Sequence, residues 1–142
     1  MESKKIIQNS QWNSIFILCL FVLLGLGGCG SSGPSFKDVE NGKIALESRE
    51  ADAVKQLITN AGITAKKMPV FSEPIEYNNA RLNYKILLEN EHVIALRLSW
   101  TKLDNMEPVA AFTELRSLDL SLNQISEIRG LQEAHKLERL IL

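Results

Sequence analysis

Val93-x2-Leu96-x-Leu98-x2-Thr101-x-Leu103-x2-Met106-x2-Val109 is laid down again 22 residues later. The second copy reads Leu115-x2-Leu118-x-Leu120-x2-Asn123-x-Ile125-x2-Ile128-x2-Leu131. A third begins as Leu137-x2-Leu140-x-Leu142, where the sequence stops. A fixed period of this length means one supersecondary unit stacked on copies of itself. The stack decides the fold.

Within a copy, Leu118-x-Leu120 alternates as a short strand does, with both leucines on one side. Ile125, Ile128 and Leu131 then follow at intervals of five, three and three. That spacing predicts a tight turn and a loose, 3₁₀-like return path. It does not follow the 3.6-residue period of an amphipathic helix. Asn123 stands where the chain leaves the strand, and its amide can bond backbone groups that the turn leaves unpaired.

The spacing resembles the leucine-rich repeat in the 22-residue form of internalin-like bacterial proteins, over residues 93–142. The copy from Leu115 to Lys136 matches at every apolar position and at the asparagine. In the first copy Thr101 replaces the asparagine, which predicts a looser turn or an N-terminal edge. The resemblance implies an α/β solenoid, a short repeat stack with a parallel sheet. It also implies a concave face built from the residues between the strand leucines. In that frame Arg97, Asp119 and Ile141 form one column, Ser99 and Ser121 the next, and Trp100 and Leu122 lie just beyond. Strands stand about 4.8 Å apart in a sheet, so Arg97 and Asp119 are expected to form an exposed pair. Such a pair contributes at most about 1 kcal/mol. Trp100 is either a contact residue, as exposed aromatics often are, or a cover for the start of the stack.

A repeat stack needs its open end covered by an element with one polar face, and residues 36–92 are expected to supply this α+β cap. Phe36 to Asn60 reads as helical, with a possible interruption at Asn41-Gly42. Val54, Leu57, Ile58 and Ala61 share one face, leaving Arg49, Asp52, Lys55 and Gln56 to solvent. Gly62 is placed to end that helix. Pro69 and Pro74 argue for a loop or an edge strand. Leu82, Tyr84, Ile86 and Leu88 alternate, Glu89-Asn90-Glu91 offers a turn, and residues 81–98 read as a hairpin feeding the repeats.

The N-terminus reads as an address. Lys4 and Lys5 precede an apolar run, Ile15 to Leu24, that continues to Gly27-Gly28-Cys29. As a signal helix, residues 15–26 would span roughly 18 Å, against a hydrocarbon core of about 30 Å. That suits an export signal better than a membrane span. Leu26-Gly27-Gly28-Cys29 also resembles the bacterial lipobox, which implies a signal peptide over residues 1–28 and acylation of Cys29. Gly30 to Ser35 then reads as a tether. Gly30 is not the aspartate that often retains such proteins in the inner membrane, which favours the outer one in a two-membrane host. The cleaved chain would hold 114 residues with a formal charge of −2, which gives no reason to expect nucleic acid. It would also carry no free thiol, because Cys19 departs with the signal and Cys29 is acylated.

No nucleophile–base pair, metal-ligand cluster or phosphate-binding glycine loop stands out. His92 and His135, the two histidines, occupy different places in the repeat frame and read as surface residues. No catalytic residue, cofactor or metal is expected. Leu137 to Leu142 is the first strand of a repeat lacking its turn, return path and polar cap, which predicts truncation from a longer chain. The alternative is a short protein whose edge a partner, or a second copy, completes. The functional expectation is a non-catalytic, lipid-anchored envelope protein that binds a protein through its concave face. The competing expectation is an inert fragment whose missing C-terminus carries an enzyme or further binding domain.

Overall fold

A computed structural model describes residues 33–142, which fall in one compact unit. The expected signal segment, Cys29 and the first half of the expected tether lie outside the described residues. The chain runs through α1 (Phe36–Glu40), α2 (Ser48–Asn60), β1 (Val70–Phe71), α3 (Pro74–Asn79), β2 (Tyr84–Glu89), β3 (His92–Leu98), β4 (Ser117–Asp119) and β5 (Arg139–Ile141). Single 3₁₀ turns span Ala65–Lys67, Glu107–Ala111 and Leu131–Glu133. The strands form one mixed sheet in the order β1-β2-β3-β4-β5. The architecture is α/β.

The 22-residue period appears as strand register. Ala95 pairs with Ser117 and Ser117 with Arg139, in parallel, so each copy contributes one strand at the same phase. Both return paths contain the 3₁₀ turn that the five-three-three spacing predicts, and these two turns pack on each other. The sheet is parallel from β3 to β5 and between β1 and β2, but antiparallel where β2 meets β3. The hairpin expected over residues 81–98 accounts for that reversal. Its two-residue turn puts Asn90 at φ 50° and Glu91 at φ 66°, the left-handed pair whose twist suits a tight hairpin. Leu82 falls before the strand and is exposed.

The helical stretch breaks near the expected place but over more residues. α1 ends at Glu40, Gly42 takes φ 71°, and α2 restarts only at Ser48. Glu47 caps α2 by accepting the Glu50 amide at 2.9 Å. Gly62, at φ 71°, ends it, donating to Thr59 O at 3.0 Å while Ile63 donates to Ile58 O at 2.8 Å. Those two bonds are a Schellman stop. Val54, Leu57, Ile58 and Ala61 are buried, and Arg49, Asp52, Lys55 and Gln56 are exposed, as the pattern requires. Burying each of the larger three stabilises by at most about 1.5–3 kcal/mol.

One continuous core runs from Phe36 in α1 through α2, Ile86 and Leu96 to Leu118 and Leu120. Residues 36–92 and the repeated stretch therefore share a single interior. Between the two prolines the loop-or-edge-strand reading holds only in part. Val70–Phe71 is an edge strand, but Pro74 opens α3, where its fixed φ and missing N–H cost nothing. α3 packs against β1 and β2. Tyr77, Leu87, Ile94 and Ala95 form a second, smaller core there. A bulge in the β2–β3 register moves pairing from Leu87↔Ala95 to Leu88↔Val93 and leaves Ile94 as the extra residue.

Candidate protein-binding face

Lys85, Arg97, Asp119 and Ile141 stand in register across β2, β3, β4 and β5. Parallel pairing with a 22-residue offset brings the column Arg97, Asp119 and Ile141 together, because residues one period apart must be cross-strand neighbours. Arg97 Nε lies 2.8 Å from Asp119 Oδ2, although its N–H is not aimed to make a hydrogen bond. The expectation of an exposed pair needs correction. Asp119 is only 8% exposed, and Arg97 keeps a third of its side chain in solvent.

The reason is the helix at the other end of the row. α3 seats Tyr77 over Leu87, Ile94 and Ala95, so that end of the face is closed. Lys85 is buried beneath it, with Nζ 4.2 Å from the Tyr77 ring centroid. Its ammonium donates to Tyr77 O and, at 2.7 Å, to Ala80 O, and so satisfies carbonyls at the C-terminus of α3. Burial lowers the Lys85 pKa and the Arg97 charge lowers it further, while Asp119 opposes both. The Tyr77 phenol is pushed up to about 12 by burial, with a lowering contribution from Arg97 and a raising one from Asp119. No periodic signal points to this arrangement. An isolated Pro at a helix N1 position, followed by Glu76 in the first turn, is the one local cue.

The serines are less free than expected. Ser99 is buried and its hydroxyl donates to Asn83 O at 3.0 Å. Ser121, half-buried, donates from Oγ to Asp119 Oδ1 at 2.7 Å and from its backbone N–H to the same oxygen at 3.1 Å. Asp119 thus holds Arg97 on one side and the turn after β4 on the other.

Trp100 and Leu122 are the open residues, 75% and 73% exposed. Trp100 does not cover the start of the stack. Both sit in the left-handed region, at φ 54° and φ 59°, which side chains larger than Gly or Asn seldom adopt. The turn that follows holds them there. Asn123 Oδ1 accepts the Thr101 amide at 3.0 Å and the Thr101 hydroxyl at 2.6 Å. Its Nδ2 donates to Leu98 O and, at 2.8 Å, to Leu120 O. One amide therefore closes its own turn and the equivalent turn one period earlier. Thr101 does not loosen the first copy, because the asparagine of the second satisfies it. On β5, Leu140 and Ile141 are exposed, as are Leu142 just after it and Ile128 on the second return path.

His92 is not a free surface residue. It is half-buried, and its Nδ1 lies 3.0 Å from Glu50 Oε1. Among the described residues no cluster of metal-binding side chains occurs, and no helix is long and apolar enough to cross a membrane. Set against known proteins, the chain matches no family model, no curated protein and no solved structure.

Proposed function

We propose that this chain is a lipid-anchored protein of the bacterial cell envelope, in the outer membrane of a two-membrane host. Its leucine-rich repeats present a non-catalytic surface for a protein partner, and the membrane is engaged through acylated Cys29. The observation that carries the repeat reading is the Asn123–Thr101 rung, which links two turns one period apart. The parallel register Ala95, Ser117, Arg139 supports the same reading. The contact surface is narrower than the column frame alone gives. It consists of the Trp100–Leu122 ledge, the exposed part of Arg97, and Ile141, with Asp119, Ser99 and Ser121 as the bonded floor beneath.

Trp100→Ala is expected to weaken partner capture at least tenfold, the ordinary cost of losing an aromatic anchor, while leaving the unfolding transition in place. Capture unchanged by Trp100→Ala and by Leu122→Ala together would remove the ledge from the proposal. Cys29→Ser is expected to abolish acyl labelling and membrane retention, and persistent labelling would sink the anchor. A second reading rests on exposed Leu140, Ile141 and Leu142, at a strand edge with no pairing partner among the described residues: pairing of β5 with a second copy. Sedimentation across a hundredfold concentration range tests it, with a single monomeric species as the result that excludes it.

A further inference from the structure

Glu50 is a carboxylate in the wrong place for one. It lies in the first turn of α2, 1% exposed, at the junction where the helix meets the hairpin. Unpaired carboxylates are not left in such positions, because burial without compensation costs far more than a domain can spare. Two groups compensate it, and both come from the start of β3. The Val93 amide donates to Oε2 at 2.7 Å, and His92 Nδ1 meets Oε1 at 3.0 Å. Adjacent to them, Glu47 N–H donates to Glu91 O at 2.9 Å, so backbone and side-chain bonds join the same two elements.

The charges around His92 are one-sided. From α2 it faces Glu50 and Glu47, and from the segment before β4 it faces Glu114. Nearby cations are already engaged: Lys136 pairs with Glu114 at 2.6 Å and Arg116 with Glu89 at 3.1 Å. Glu91, in the hairpin turn, adds a further carboxylate, exposed to solvent. The imidazolium is thus the positive charge placed against the buried acid. A neutral ring can keep one hydrogen bond to Glu50 but supplies no charge.

We infer that His92 and Glu50 form a pH-sensitive fastener between α2 and the β2–β3 hairpin, closed when His92 is protonated and weakened when it is not. The bond to Glu50 is the main influence raising the His92 pKa, with burial opposing it and the charges of Glu50, Glu114 and Glu47 adding to the rise. The sign follows from linkage. A histidine whose pKa is higher folded than unfolded contributes stability that is complete below its unfolded pKa. That contribution is lost as pH rises through the folded value. Histidine titrates near neutrality, and the raised value of His92 places the loosening at and above that range. What loosens is the seam between the helical layer and the first strand of the repeated stretch. The turn after β3, with Trp100, belongs to that same strand's continuation.

The test is an NMR titration of the isotope-labelled full chain in detergent micelles, following the His92 imidazole and hydrogen exchange at the Val93 amide. His92 is expected to titrate above the ordinary histidine value. Val93 exchange, corrected for its intrinsic base-catalysed rate, should accelerate across the His92 transition, tenfold for each unit separating folded from unfolded pKa. Glu50→Gln should bring His92 back towards the ordinary histidine value. His92→Gln, which retains a neutral donor, should make Val93 opening independent of pH, and it keeps the test decisive if the Glu50 variant fails to fold. Titration of His92 in the wild-type chain at or below the ordinary histidine value would overturn the inference. So would Val93 opening that is the same on both sides of the His92 transition.

Discussion

The first and second copies have the same spacing and opposite surroundings. In the first, Leu96, Leu98, Leu103, Met106 and Val109 are all fully buried. In the second, Leu115, Leu118 and Leu120 are buried on the strand, but Ile125 and Leu131 are only partly covered and Ile128 is exposed. By β5 Leu140 is 41% exposed, against 1% at Leu96 two periods earlier. A repeat position therefore specifies direction, not burial. Each copy is covered by the one that follows and, for the first, by α2 on its other side. The 3₁₀ turn Glu107–Ala111 packs directly on α2.

That gradient can be broken most sharply at equivalent leucines. Leu118→Ala should cost about 2–5 kcal/mol, as deletion of a fully buried leucine does. Leu140→Ala should cost under about 1 kcal/mol, because partly exposed surface has little transfer energy to lose. Urea unfolding of the two variants measures both. Equal costs would mean that the copies are equivalent after all.

Gly130 offers the next largest effect, at the contact between return paths. Its φ is 97°, and a Cβ there would come within 2.8 Å of Glu107 O and 2.9 Å of Met106 O. Those neighbours are backbone and cannot swing aside. Gly130→Ala is expected to cost roughly 2–4 kcal/mol from strain and overpacking together. The same position one period earlier is Pro108, so this close approach is peculiar to the second copy.

The asparagine rung sharpens the comparison further. Asn123→Ala strands the Thr101 amide and the carbonyls of Leu98 and Leu120, and should cost about 1–3 kcal/mol. Thr101→Ala removes one neutral hydrogen bond and should cost about 1 kcal/mol or less. A reversed order would assign the closing of both turns to the threonine. The smallest effect lies on the acid side. Bonds from the amides of Glu50 and Arg49 hold the Glu47 carboxyl below its usual range. A carboxyl lowered on folding contributes stability above its unfolded pKa and loses it as pH falls through the folded one. Amides in the first turn of α2 should accordingly exchange faster as pH falls through the Glu47 transition, and Glu47→Gln should flatten that dependence.

Periodic and local signals were readable without coordinates, and non-periodic ones were not. The face of α2, the Gly62 stop, the hairpin with its turn at Asn90-Glu91, the 3₁₀ return paths and the role of Asn123 all follow from spacing or from turn chemistry. The column Arg97, Asp119, Ile141 follows from the period. Its openness did not, because α3 closes one end of the row and the Asp119 carboxylate is engaged from both sides. Lys85 gave no hint of burial, since a lysine in an alternating strand normally reads as solvent-facing.

By itself, then, the sequence determined which residues of successive copies become neighbours, because a constant offset of 22 leaves a parallel register no other choice. Tertiary structure alone decided which of those neighbours are covered. Burial depends on elements distant in the chain, as when α3 folds onto β2 and α2 presents Glu50 to His92 across 42 residues. No periodic pattern encodes such contacts. They form because a buried charge or an open apolar strip must be satisfied by whatever the packed chain brings within reach.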